Sequence, residues 1–304
     1  MAKKLDKEYR KAIDRSGYLF EQRLAAFLKN EGYYVVPNYS FRDPETGDHR
    51  EVDVWAYGAT AISRRRREFI WPMLLVEAKN LSSPLVFFTQ SEVPISELMG
   101  EVHLSGLPKE VILNKQRIEL SEFLGFEKFH HYYRRGRLAS QFCAVYKKGK
   151  ECHAEHQLPT GGNLYRDAIL PLAKAVHFEM DEHETNWSYE PGNEVINLNF
   201  YYPILVTKGE LYECYVGGTR PRYRRVHRIG FIRRYHSNKM KGEYRIDVVS
   251  ESGFHKLVKD IDKEMNKMAG RIKRHQDVLR RSANRIAKEK LREKNVKKTS
   301  SSLQ

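Results

Sequence analysis

Glu51-Val52-Asp53-Val54-Trp55-Ala56-Tyr57 and Trp71-Pro72-Met73-Leu74-Leu75-Val76-Glu77-Ala78-Lys79 both read as strands, and both set carboxylates where packing gives no reason for them. In the second stretch the strand period of two puts Glu77 and Lys79 on one face and Val76 and Ala78 on the other. On its own such a pair means an ordinary cross-strand ion pair. Asp53 changes this, because it lies between Val52 and Val54 in the preceding strand, next to Glu77 if the two strands pair. Neighbouring carboxylates repel, and a hard divalent cation with oxygen ligands relieves the repulsion.

Working outward, Phe20, Leu24, Phe27 and Leu28 recur at helical spacing and predict a helix over 14–30, stopped at Gly32. Glu21 lies on its apolar side, where a structural helix prefers an apolar residue. Tyr33 to Phe41 and Glu51 to Tyr57 flank the turn-forming Asp43-Pro44-Glu45-Thr46-Gly47-Asp48 and predict a hairpin. Leu164 to His177 predicts a second helix, kinked at Pro171, with a solvated loop beyond it. Ile204–Thr207 and Leu211–Val216 around Lys208-Gly209-Glu210 predict a second hairpin. Phe142 to Tyr146 reads as a strand inside an otherwise opaque 81–160. Leu257, Ile261, Met265, Met268, Ile272, Leu279 and Ile286 mark one face of a long C-terminal helix, with disorder expected over 297–304.

In this order of elements Glu21, Asp53 and Glu77-Ala78-Lys79 resemble the PD-(D/E)xK nucleases. The likeness spans about residues 14–80, with weaker support over 164–216. It implies an α/β fold with a restriction-endonuclease-like αβββαβ core, a mixed central sheet, a long insertion at about 81–160 and a basic C-terminal helix. Two units are expected, a nuclease-like domain over 1–254 and a helical extension over 255–304. The resemblance further implies that Asp53 and Glu77 bind Mg²⁺, with Mn²⁺ able to substitute, and that the Ala78 carbonyl completes the shell. Lys79 would orient or deprotonate the attacking water, with Glu21 assisting, leaving 5′-phosphate and 3′-hydroxyl ends. Val52 occupies the place of the motif's proline, which many members lack.

Composition points to the same partner. The net charge is +15, from 54 basic and 39 acidic residues, and residues 256–304 hold sixteen Lys/Arg against six Asp/Glu. Such a surplus favours polyanions through counterion release. Candidate nucleic-acid contacts are Arg64, Arg65, Arg66, Arg67 and Asn80, with Arg134, Arg135 and Arg137 in His130–Arg137 and Arg224 and Arg225 in Tyr223–Tyr235. The last two stretches interleave aromatics with cations, as base-stacking tracks do. DNA is favoured over RNA, and a homodimer is expected if both strands of a duplex are cut. A binder that does not cleave is the alternative. Cys143, Cys152, His153 and His156 lack the paired spacing of zinc ligands. With three scattered cysteines, no apolar leader among the first residues and no membrane-length apolar run, the expected location is cytoplasmic.

Overall fold

The computed structural model describes residues 6–81, 83–89, 102–133, 137–148, 150–156, 164–186 and 195–301, side chains excepted at 147, 184–186, 290 and 293–301. The chain opens with helices α1 (Lys7–Ser16) and α2 (Tyr18–Asn30). The single helix predicted over 14–30 is divided at Gly17, whose φ of +91° is left-handed and breaks the helical path. Phe20, Leu24, Ala25 and Leu28 of α2 are buried.

Strands β1 (Tyr34–Arg42) and β2 (His49–Tyr57) form the predicted hairpin, in register from Tyr34↔Tyr57 to Arg42↔His49. After β3 (Thr60–Ser63) comes β4 (Glu68–Lys79), antiparallel to β2 from Tyr57↔Met73 to Val54↔Val76. Residues 81–156 add β5 (Leu85–Thr89), β6 (Leu104–Ser105), β7 (Glu110–Leu113), β8 (Gln116–Glu119), α3 (Leu120–Phe123), β9 (Leu138–Lys148) and β10 (Glu151–His156). Next, α4 (Leu170–Asn186), led in by a wider π turn over Tyr165–Ile169, crosses to β11 (Asn197–Thr207). The remainder is β12 (Leu211–Tyr215), β13 (Arg222–Val226), β14 (Arg228–His236), β15 (Lys241–Ser250) and α5 (Glu251–Ser301).

Thirteen strands join one mixed sheet along the path β1-β2-β4-β11-β15-β14-β9-β5-β12-β13, with β3, β6 and β10 attached to its flanks. β11 runs parallel to β4 over its whole length, from Asn197↔Phe69 to Thr207↔Lys79, and is parallel to β15 on its other side. It is buried almost throughout, as expected of a central parallel strand covered on both faces. One core lies between the sheet and α2 with α5, containing Phe20, Leu24, Val54, Val76, Ile204, Met265 and Ile272. The other lies under α4, containing Val52, Leu75, Leu172, Val176, Leu205 and Val248.

Three expectations are corrected. β11 and β12 do not form a hairpin, because both edges of β11 are taken by β4 and β15, and β12 pairs instead with β5 and β13. The residues after His177 are not a solvated loop, because α4 continues to Asn186 with Glu179 buried against the Tyr39 hydroxyl. α5 is helical through Ser301, past the point where disorder was expected at Lys297, and 302–304 lie outside the described residues. Its apolar stripe is buried from Phe254 to Ile286, and Arg280 reaches the fully buried Glu68 at 2.5 Å, fastening the helix to β4.

Candidate active site

The β2–β4 ladder ends at Val54↔Val76, and beyond that pair the strands part. In place of a ladder bond, the Asp53 carboxylate accepts the Ala78 N–H at 2.6 Å. This binds the acid of one strand to the backbone between Glu77 and Lys79 of the next. Lys79 Nζ donates to Glu77 Oε1 at 2.6 Å. Glu77 Oε2 is buried and has no hydrogen-bond partner.

Electrostatics measure how crowded the group is. Burial pushes the Glu77 carboxyl up to about 8, Asp53 adds to the rise, and the Lys79 ammonium only partly opposes it. Burial also raises Asp53, against the Ala78 N–H and Lys79 and with a push from Glu51. Glu21, on the first turn of α2, is raised by burial and then by Asp53, with Lys79 pulling it down. Burial works against the charge on Lys79, yet Glu77 beside it more than compensates and its pKa is raised. Glu21, Asp53, Glu77 and Lys79 therefore share one electrostatic site, as two strand ends and a helix start bring them together.

The other sequence candidates are dispersed. Asn80 is adjacent, but its Nδ2 donates to the Asp14 carbonyl at 2.9 Å and ties α1 to the site. Arg64–Arg67 form the exposed turn before β4, at the opposite end of that strand from Lys79, about 36 Å away at a rise of about 3.3 Å per residue. The arginine run is thus remote from these acids although close in sequence. Arg134 and Arg135 lie outside the described residues. His130, His131, Tyr132 and Tyr133 are buried, so this stretch is core and not a stacking track. Arg137 pairs with Glu213 at 3.4 Å, Arg224 with Glu213 at 2.7 Å and Arg225 with Glu210 at 3.0 Å.

Glu51 and Asp167 were not anticipated. Glu51 raises Asp53, and Asp167, in the π turn ahead of α4, raises Lys79. Both also line an open depression with Arg50, Arg166 and Pro171. The only sequence signal for Asp167 was its place at the start of the second predicted helix.

No family model, curated protein or solved structure matches this chain.

A second cluster went unread in the sequence. His130, His131 and Glu264 place ligand atoms within 4.8 Å of one another, the one such trio of His, Cys, Asp or Glu among the described residues. All three are buried, and the chain therefore has the capacity to hold a divalent metal ion. His131 Nδ1 faces Glu264 Oε2 at 2.7 Å and its Nε2 faces Asp247 Oδ2 at 3.2 Å, while Glu264 Oε1 has no partner. His130 Nε2 meets the Tyr202 hydroxyl at 3.1 Å and its Nδ1 accepts the Tyr132 N–H at 3.1 Å, so an ion here would displace one of these contacts. Two imidazoles and a carboxylate suit a transition metal better than Mg²⁺. The signal lay in the His130-His131 pair, but Glu264 is 133 residues away from His131 in sequence and only the packing of α5 joins them.

The chain has no helix long and apolar enough to cross a membrane among the described residues.

Proposed function

We propose that this protein is a Mg²⁺-dependent nuclease of the PD-(D/E)xK type, hydrolysing phosphodiester bonds of nucleic acid, with DNA the favoured substrate. The observation that carries the reading is the orphaned, buried Glu77 Oε2, beside Asp53 and with Lys79 on its sister oxygen. A carboxylate pushed up to about 8 at a strand end is costly for the fold, and the single ammonium of Lys79 on one oxygen leaves the other without a partner. Oxygen ligands in that state suit Mg²⁺, which binds through one or two carboxylates and keeps several waters. Supporting it, α2, β1, β2, β4, α4 and β11 follow in the expected order, with β1-β2-β4 antiparallel and β11 parallel to β4 after a helical crossover.

Asp53 and Glu77 would hold the metal, and Ala78, whose N–H fixes Asp53, would offer its carbonyl. Bound Mg²⁺ supplies a Lewis acid that activates water and stabilises charge developing on the phosphoryl oxygens. Lys79, held as an ammonium against Glu77, would orient the attacking water. Glu21, whose pKa is raised by burial and by Asp53, would assist from the same site. The products would be 5′-phosphate and 3′-hydroxyl ends. The net charge of +15 and the exposed Arg224 and Arg225 supply the attraction for a polyanion.

The test is Mg²⁺-dependent cleavage of labelled single- and double-stranded DNA by the wild type, Asp53→Ala and Lys79→Ala, with binding measured in parallel. Cleavage by the wild type, lost in both variants while binding persists, is expected. Binding without cleavage by the wild type in either Mg²⁺ or Mn²⁺ would replace the enzyme with a non-cleaving binder.

A further inference from the structure

On the other face of the sheet lies a solvent-open cleft of about 230 Å³, between β13, β14, β15 and the segment before β9. Arg137, Arg224, Arg228 and Arg245 line it, with His131 and Glu213. Its side of the sheet follows from register. Asp247, the partner of Arg228 on its wall, pairs with Ile204, which faces the α5 core, whereas Glu77 pairs with Leu205, which faces the α4 core. A phosphate bound in this cleft is therefore not the one beside Glu77.

We propose that this cleft binds a phosphate group. Three of the guanidiniums are held in place by too few carboxylates: Arg137 and Arg224 share Glu213, and Arg228 takes Asp247 through Nε and Nη2, each at 3.1 Å. Asp247 is further engaged by His131. Glu213 and Asp260 are the acids that line the cleft, so four guanidiniums on its wall meet two carboxylates there, with Asp247 behind Arg228. Arg245 has none of them as a hydrogen-bond partner. It is 6% exposed, its Nη1 donates to the Tyr132 carbonyl, its Cζ lies 4.4 Å over the Tyr132 ring, and its Nε has no partner.

Gly230 packs beside the Arg245 guanidinium, with the Leu138 side chain next to it. A Cβ there would come within 3.3 Å of Arg245 Nε and 2.5 Å of Leu138 Cδ2. An always-charged planar fork with an unused N–H at a cleft wall is the arrangement that receives phosphate oxygens. The cleft is smaller than the roughly 300–1,000 Å³ of sites that enclose a drug-sized ligand, so a phosphate and the start of its ester fit, with the rest outside. The source is either a small phosphomonoester or the terminal phosphate of a nucleic-acid strand, and both present the same dianion.

The full-length chain carrying Asp53→Ala, which removes any cleavage, is titrated calorimetrically at fixed ionic strength. Inorganic phosphate, a nucleoside monophosphate and the bare nucleoside are compared, followed by one oligonucleotide with a 5′-phosphate or a 5′-hydroxyl. Phosphate and the monophosphate are expected to bind and the nucleoside not to, with at least a tenfold loss in Arg245→Met. Because Arg245 is buried, Arg137→Gln/Arg224→Gln on the rim serves as a second variant and should weaken binding by a similar factor. If the 5′-phosphate improves oligonucleotide binding only while the arginines are intact, the ligand is a strand end. If both oligonucleotides bind alike, it is a small phosphomonoester. No phosphate binding above a chloride control, or binding unchanged in both variants, overturns the proposal. Neither result depends on cleavage at Asp53 and Glu77.

Discussion

Replacing Glu77 by Gln removes a buried carboxylate whose charged form the fold disfavours. A shift from the ordinary 4.5 to about 8 corresponds to on the order of 5 kcal/mol at 1.36 kcal/mol per unit. The sign follows from linkage: the folded state holds this proton more tightly than the unfolded chain, so the associated stability is fully present below about pH 4.5 and is lost as the pH rises to about 8. Gln resembles the protonated acid and is spared the loss. Lys79 gives up its partner in this variant and takes back part of the gain, which leaves roughly 2–4 kcal/mol. In urea denaturation without metal, Glu77→Gln is therefore expected to match the wild type near pH 4.5 and to exceed it by that amount at pH 8.5. Added Mg²⁺ should stabilise the wild type at pH 8.5 and leave Glu77→Gln unmoved. A variant no more stable than wild type at pH 8.5, or a gap equal at both pH values, would refute the idea of a strained carboxylate awaiting a cation.

Three further outcomes test how the site is held. Asp43, buried under Lys174 and Arg50, is held down to about 2 by hydrogen bonds from Lys174, the Glu45 backbone and Arg50, against the opposing effect of its burial. Asp43→Ala should cost about 3 kcal/mol in urea melts at pH 7, and the difference should vanish as the pH falls from about 4 through 2, where the wild type loses the same contribution. Arg280→Met leaves Glu68 buried without its partner and should lower stability by about 3–5 kcal/mol, with Glu68→Gln in the same chain restoring most of it. Gly17→Ala forces a Cβ into a left-handed φ of +91° and sets it 3.5 Å from Glu21 Oε1. It should lose about 1 kcal/mol in denaturation and reduce cleavage without abolishing it, whereas Gly17→Asn, which tolerates that conformation, should do less of both.

Much of the fold near the acids was legible because it is local. The β1–β2 hairpin has strong turn chemistry at its centre, and α2 has a clear apolar stripe ending at a glycine. The central strands extend further than their apolar runs predict: the predicted strands begin at Trp71 and Ile204, while β4 begins at Glu68 and β11 at Asn197. The tight spacing of 204–207 and 211–216 suggested a hairpin, since sequence separation cannot reveal that both edges of the first strand are already occupied. Residues 81–160 were opaque for a related reason: β5 and β9 pair with each other and with β12 and β14, which lie more than fifty residues further along the chain.

The same distinction separates the two groups of polar residues. Glu77 and Lys79 lie two apart on one strand, so alternation placed them on one face, and Asp53 joined them through the pairing of the adjoining strand. The network of His131, Asp247 and Glu264, with Arg245 beside it, combines a connecting segment, one strand and the long helix, and each member looks ordinary in its own stretch. Aromatic and cationic neighbours from His130 to Arg137 resemble a surface track in sequence. Burial divides them, sending the rings beneath the sheet and leaving Arg137 at the cleft. A pattern of residue types constrains chemistry only when the period of its own element decides which side chains share a face. Where facing is decided by packing between distant segments, as beneath Arg245, the unpartnered atom in the folded chain is the first sign that something binds there.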